Sequence, residues 1–394
     1  MSYYSKIMLN LFKKKENEEK KLNVIIITLD ALRPDFAENL PNLKKLIPKS
    51  TYFNNLTTYA PHSTGAFYAI FSGIYGSENG VNSYFGIEDF KENKCKLLTQ
   101  YFKERGYVTI GDSMNAIILP QQGFDKYLEQ RENTNIQQVH SEIIDELNVL
   151  DKENKNFFVH FHISSIHYKL IHNVVKKYKF DNPEYYNQVD KNKENFRKYA
   201  EEADAQFGKI LEKLENYNLL ENSILVVLSD HGSSCGEKFG ERYYSAFCYD
   251  ITLKTFVLFY NKNIFPSFIS NKLARTIDIM PTILASLNIK EDPKFMGLTG
   301  KSLFSIIRNE EKGQRIAFSE TAPLEGTAPY SSPKDPIIHS IRTPEWKLMF
   351  IRPINKFEFY NIKNDPNEEN NLFGKGYKEE QELMNLLKNY VKID

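Results

Sequence analysis

Two stretches of this chain are built alike. Val24–Ile27 is an unbroken β-branched run that leads through Thr28 and Leu29 to Asp30, and Ile224–Leu228 leads through Ser229 to Asp230, His231 and Gly232. Continuous apolar runs read as strands covered on both faces, at the centre of a parallel sheet. In open α/β sheets, ligands sit beyond the carboxyl ends of the strands. Two such strands side by side would aim two carboxylates and one imidazole at a single point. That donor set suits Mn, Zn, Fe or a harder divalent ion such as Ca or Mg. Gly232 fits a sharp turn after the imidazole, and Pro34 keeps the chain beyond Asp30 from returning to regular pairing.

Hydroxyl and imidazole groups of two further stretches complete the inventory. Thr64–Ser72 has helical spacing, with Ala66, Phe67, Ile70 and Phe71 on one face and Gly73 as the stop. Ser63 therefore lies at a helix start, among free amides and the positive dipole end; a plain N-cap role for Ser63 or Thr64 is the structural alternative. Four of the eight histidines, His160, His162, His167 and His172, crowd around the apolar segment Phe157–Ile163. Alternation puts His160 and His162 on one strand face, where a core role is expected. His167, just past the strand end, is the functional candidate.

The elements that position these groups follow in order. Leu40–Ile47 reads as a short helix, Ser50–Thr58 and Tyr107–Ile110 as strands, and 95–105 as a helix. Residues 173–195 are polar and tyrosine-rich, which suggests an insertion over a site, with Lys176, Lys177, Tyr178 and Lys179 facing substrate. A helix is expected from Phe196 to Tyr217, with Asp204 near its apolar stripe, buried and paired. Thr255–Tyr260 is another buried strand, and Arg275–Leu287 a helix. From about Gln314, short strands follow one another without helices until an amphipathic helix around Leu383–Tyr390, which indicates a small antiparallel sheet with one helix. The expected division is a polar arm over 1–22, an α/β domain over 23–313 and the small sheet over 314–394.

Composition sets limits. With 394 residues, 41% hydrophobic and 26% charged, the chain can build one large core plus a satellite. Zero formal net charge gives no support for nucleic-acid binding. Cys95, Cys235 and Cys248 are odd in number and widely spaced, which argues against a disulfide framework or a cysteine zinc site. Without a run of about 18 apolar residues, no transmembrane span is expected. The basic residues after Met1–Phe12 follow the apolar stretch rather than precede it, unlike a signal peptide, so cytoplasmic residence is expected.

In order along the chain, these pieces resemble the sulfatases of the alkaline phosphatase superfamily. Val24–Asp35 resembles the first metal strand, Pro41-Asn42-Leu43 a family helix, Ala69–Tyr75 through Val81 the helix and loop after the nucleophile, and Leu228–Gly232 the second metal strand. Ile277–Thr282 and the segments at Arg342–Lys347, Phe359–Asn361 and Asp365-Pro366 continue the likeness. The resemblance implies a three-layer α/β/α sandwich with a mainly parallel sheet and a small C-terminal α+β domain. It implies a divalent metal held by Asp30, Asp230, His231 and Ser63, with Ser63 as nucleophile and Thr64 the runner-up, and His167 against the transferred group or a second metal. The chain also departs from the pattern. Gly65 and Phe67 stand where the formylglycine motif has Pro and Arg, Ala31 replaces a second aspartate, Ser165 replaces another, and Asn115 is the nearest polar group where a lysine and histidine are common. The expected activity is hydrolysis of an anionic ester carried on a carbohydrate or lipid, with an unmodified serine favouring phosphoesters or phosphonate esters over sulfates. Alternatives are transfer of a phospho-alcohol group to a glycan or lipid, and a non-catalytic binding protein on the same fold.

Overall fold

The computed structural model describes residues 21–131, 134–332 and 334–391. The expected polar arm lies, but for Lys21 and Leu22, outside the described residues. The main sheet is built from β1 (Asn23–Leu29), β2 (Thr51–Thr57), β3 (Val108–Ser113), β4 (Lys126–Glu129), β5 (Phe157–Ile163), β6 (Ser223–Leu228), β7 (Lys254–Tyr260), β8 (Phe268–Ser270) and β9 (Ala274–Arg275). Its order is β4-β3-β5-β1-β6-β7-β2-β8, with β9 also on β2. β1 pairs in parallel with β5 and β6, and only β7 runs against its neighbours.

β1 is fully buried along its length, as expected of a central strand. Its alternation decides the layers. Ile25, Ile27 and Leu29 enter one core with α3 (Ile136–Lys152) and α5 (Val189–Asn216). Val24 and Ile26 enter the other with α2 (Ser63–Ser72) and α6 (Ile279–Ser286). This is the three-layer α/β/α sandwich. Each fully buried Phe, Leu or Ile in these cores contributes about 1.5–3 kcal/mol, and Phe196, Phe207, Phe67 and Phe71 are all sealed from solvent.

Three differences from the sequence reading have physical causes. That reading assigns nothing between Asp125 and Asn156, where β4 and α3 lie; α3 buries only a narrow stripe of His140, Ile143, Ile144, Leu147 and Leu150 amid charge. α5 starts at Val189, a turn or two before the first apolar beat at Phe196. Residues 173–195 are not a detached insertion, because Val174 and Tyr185 are buried in the core beneath α5.

A second sheet, β10 (Ala317–Thr321), β11 (Ile338–Arg342), β12 (Lys347–Ile351) and β13 (Lys356–Tyr360), is antiparallel throughout, in the order β10-β11-β12-β13. One face packs Ile338, Met349 and Ile351 against Phe247, Cys248 and Leu253. The other packs Ile341, Leu348 and Phe359 against Leu383 and Leu387 of α7 (Lys378–Tyr390). Among the described residues no helix is long and apolar enough to cross a membrane.

Candidate active site

The parallel register brings three strand ends level. Thr28 on β1 lies opposite His162 on one side and Leu228 on the other, so Asp30 and Asp230 emerge at the same sheet edge. The turn after β1 is tight, with Ala31 at φ 61°, a conformation that strains a residue with a Cβ. Backbone amides from this turn tie it to the end of β6. Ala31 N–H donates to Asp230 Oδ1 at 3.2 Å, and Leu32 N–H donates to Ser229 Oγ at 3.0 Å. Ala31 thus contributes an amide where a second acid would have contributed a carboxylate.

Asp30, Asp230 and His231 are completely buried. Asp30 Oδ2 accepts from His162 Nε2 at 3.1 Å, whereas among the described residues Asp30 Oδ1 has no hydrogen-bond partner. Asp230 Oδ1 also accepts from the His231 amide at 3.0 Å, whereas Asp230 Oδ2 has none. His231 Nδ1–H donates to the Gly232 carbonyl at 2.9 Å, which leaves a lone pair on Nε2. That nitrogen lies 3.7 Å from Asp30 Oδ1 and 3.5 Å from Asp230 Oδ2. Ligand atoms of the three residues all fall within 4.8 Å of one another.

Electrostatics sharpen the picture. Burial raises the Asp230 carboxyl pKa, and the charge of Asp30 raises it further. Burial also opposes ionisation of Asp30, but the His162 hydrogen bond and the charges of His167, His162 and His231 outweigh it and hold this carboxyl at about 2. Orphaned buried oxygens cost about 1–3 kcal/mol each, and adjacent buried carboxylates resist double ionisation. A divalent cation between the two orphaned oxygens and the Nε2 lone pair removes both penalties, so the donor set fits a metal of the Mn, Zn, Mg or Ca class.

The α2 N-terminus faces this cluster. Ser63 Oγ lies 3.2 Å from His231 Nε2 and donates to it. Thr64, one residue on, is sealed from solvent with its hydroxyl unpartnered; the contact to His231 belongs to Ser63. His167 lies just past the strand end, in the first turn of α4 (Ser165–Leu170). Its Nδ1 lies 3.7 Å from Asp30 Oδ2 and 2.7 Å from the Tyr244 hydroxyl, and burial pushes its pKa down to about 4. The exposed Lys176, Lys177 and Lys179 make no hydrogen bond or ion pair with Asp30, Ser63, Asp230 or His231 among the described residues.

Sequence reasoning kept His160 and His162 together as core residues, and the structure separates them. His160 is satisfied on both nitrogens, by the Asp112 carbonyl at 3.2 Å and Thr28 Oγ1 at 3.0 Å. His162 instead joins Ser113 Oγ at 3.3 Å to Asp30. Burial works against its charge, but Asp30 prevails and its pKa is raised. Its backbone is held in turn by Asp112, which accepts the His162 amide at 2.9 Å and His140 Nε2 at 3.0 Å. The available signal was pairing of β5 with β1, which sets position 162 beside the last residues before Asp30. Tyr244, whose ring lies 4.5 Å from that of His231, had no sequence signal.

Comparison with known proteins gives a consistent result. The family model described as Sulfatase matches residues 23–289, and that described as N-sulphoglucosamine sulphohydrolase, C-terminal, matches 240–393. An N-acetylglucosamine-6-O-sulfatase of Bacteroides thetaiotaomicron is 32% identical over 202 residues, covering 48% of this chain and 34% of the relative. Arylsulfatase K of Rattus norvegicus is 24% identical over 202 residues, 49% of this chain and 34% of the relative. The matched region thus spans about a third (34%) of the length of these curated relatives. Among solved structures, a protein in complex with its substrate D-glucosamine-2-N,6-O-disulfate superposes with TM-score 0.70 at 17% identity, over 94% of this chain and 98% of that one. A phosphonate monoester hydrolase from Silicibacter pomeroyi does so with TM-score 0.70 at 14% identity, over 94% and 95%. At such identities the structural likeness speaks for the fold, while the family model, spanning the two strand ends, the α2 N-terminus and α6, establishes that this chain belongs to the sulfatase family of the alkaline phosphatase superfamily.

Proposed function

We propose that the chain is a metal-dependent hydrolase of anionic esters, with Ser63 as its nucleophile. The observation that carries this reading is the approach of Ser63 Oγ to His231 Nε2 at 3.2 Å, beside the orphaned oxygens of Asp30 and Asp230. Asp30, Asp230, His231 and Ser63 would hold the divalent ion. When bound, that ion supplies Lewis-acid stabilisation of charge on the nucleophile and on the transferring group. The chain's own residues do the rest. Ser63 Oγ gives up its proton and attacks phosphorus or sulfur, the bond to the leaving alcohol breaks, and that proton ends on the alcohol. Amides in the first turn of α2 face the charge that builds on the transferring oxygens. His162 orients Asp30 through Nε2, and His167, braced by Tyr244, stands where it can contact the transferred group.

Water then attacks the covalent intermediate. From a phosphoserine this is direct displacement at phosphorus, which regenerates the serine. From a serine sulfate there is no second hydroxyl to expel the group. With Gly65 and Phe67 in place of the residues that accompany formylglycine, Ser63 as unmodified serine favours a phosphodiester or phosphonate ester. One relative is named an N-acetylglucosamine-6-O-sulfatase, which supports a carbohydrate as the leaving alcohol. If an acceptor alcohol replaces water, the same intermediate makes the chain a phospho-alcohol transferase to a glycan or lipid.

Purified protein, assayed on matched p-nitrophenyl phosphodiester, phosphonate and sulfate esters with defined divalent metals, tests the reading. Higher kcat/KM on the phosphorus esters, loss of turnover in Ser63→Ala and unmodified serine in the mass of the Ser63 peptide are expected. A preference for the sulfate, or formylglycine at position 63, overturns the phosphoester preference; full activity in Ser63→Ala overturns the nucleophile.

A further inference from the structure

The residue before the nucleophile has an unusual position. His62 is the N-cap of α2, is completely buried, and its Nδ1 accepts from the Gly65 amide at 3.2 Å. That acceptance fixes the tautomer. The proton of the neutral ring must be on Nε2, and Nε2 is sealed from solvent with no hydrogen-bond partner among the described residues. A buried N–H left without an acceptor is a rarity that asks for an explanation.

Two further observations show where this donor sits. The helix is ten residues long, and its first turn carries a second buried, unpartnered polar atom, Thr64 Oγ1. The His62 ring lies over that turn. A Cβ added to Gly65 would come within 2.9 Å of His62 Cε1 and 3.3 Å of Nε2, and within 2.7 Å of Ala60 Cβ. Glycine at 65 thus leaves room for the imidazole at the helix mouth. Ser63, between the two, points its hydroxyl at His231. Meanwhile, among the described residues, no lysine or arginine hydrogen-bonds or pairs with Asp30, Ser63, Asp230 or His231.

We propose that His62 is a catalytic residue whose Nε2–H, aided by Thr64 Oγ1–H, donates to a non-bridging oxygen of the phosphoryl or sulfuryl group transferring at Ser63. This rests on the reading of Ser63 as nucleophile. Nδ1 spends its lone pair on the Gly65 amide, so the ring neither moves nor changes tautomer during the reaction; Nε2–H stays a donor throughout. Such a preorganised donor is worth most when charge grows on the group it faces, which assigns His62 to kcat more than to KM. It also tolerates both phosphoryl and sulfuryl oxygens, so the assignment holds whichever ester is turned over.

The test separates cap from donor. His62→Asn keeps an N-cap acceptor for the Gly65 amide and removes Nε2–H; His62→Ser does the same with a shorter side chain. In either variant Tm should stay near the parent, kcat should fall by about 10²-fold or more, KM should change far less, and inhibition by inorganic phosphate should weaken. Both replacements retaining parental kcat and phosphate inhibition, in a protein whose Ser63→Ala variant is inactive, overturn the role of His62 alone. A fall in Tm that matches the loss of activity in both replacements also overturns it, leaving His62 as a structural cap. Full activity in Ser63→Ala removes the reading on which the proposal rests.

Discussion

Asp30 and Asp230 sit in the same sealed site, yet their surroundings pull their ionisation apart: one is held at about 2 by three imidazoles, the other raised by burial and by its neighbour. Removing one carboxylate should abolish the need for a cation. Asp230→Asn is expected to lose turnover together with the upward shift in Tm that added Mn or Zn gives the parent; saturation at 100 times Kd corresponds to about 2.7 kcal/mol of stabilisation. A variant that keeps the parental Tm response excludes Asp230 as a ligand. His162 acts through Asp30, so His162→Phe should weaken the same metal response by about 10–100-fold in affinity while Ser63 remains in place. These residues differ in how readily the sequence reveals them. Asp30, Asp230 and His231 stand at the ends of apolar runs, where strand arithmetic alone aims them. His162 acquires its environment from a partner 132 positions away, which no local pattern marks, and His62 caps the amide of Gly65 three residues on, where imidazole is not among the usual N-cap side chains.

At the scale of elements, apolar period was legible where burial is broad and silent where it is narrow. β1, β6, α2 and the C-terminal strands announce themselves because nearly every residue, or every second one, is apolar. α3 escapes notice because its buried stripe is interrupted by charge, and β4 because four half-exposed residues carry no period. Asp204 shows an acid in the stripe of α5 serving structure. Its carboxylate accepts from the amides of Asn42 at 2.9 Å and Leu43 at 3.1 Å, and from Asn42 Nδ2 at 2.9 Å. It thereby satisfies free amides at the start of α1 (Pro41–Leu46), whose own N-cap Leu40 offers no side-chain acceptor. Asp204→Ala leaves those donors buried without a partner and should destabilise the fold by about 2–3 kcal/mol, read as a lower midpoint in urea. Its kcat at 25 °C should stay parental, since Asp204 touches no group of the site; a selective loss of kcat at unchanged stability would contradict the structural role.

At the scale of the whole molecule, the question is how the small sheet stays on the sandwich. Apolar contact around Cys248 and Met349 covers part of the seam, and a buried ionic cluster covers another part. Asp250, just before β7, takes Arg342 Nε at 3.0 Å and Lys347 Nζ at 2.9 Å, while Lys347 also meets Glu368 at 2.8 Å and the Asp250 amide donates to Glu368 at 2.7 Å. Two cations balance two anions, and Lys347 is completely buried. Burial opposes the charge on Asp250, but Arg342 and Lys347 prevail and hold its carboxyl well below the ordinary 3.8. A depressed carboxyl contributes stability that is fully present above its unfolded value and is lost only as pH falls toward the folded one. Glu368, raised by burial and by the charge of Asp250, has the opposite sign. Asp250→Asn should therefore unfold about 3–5 kcal/mol more easily than the parent at pH 7. That gap should stay level down to pH 5 and begin to close below 3.8, where Asp250 of the unfolded parent takes up a proton that the folded parent does not. Urea titrations of both proteins from pH 7 to pH 3 read it directly. A gap that closes already between pH 7 and pH 5 would assign the pH dependence to an imidazole, and one that stays level to pH 3 would show that Asp250 ionises alike in the folded and unfolded chain; the absence of any gap at pH 7 would remove Asp250 from the clasp between the two sheets.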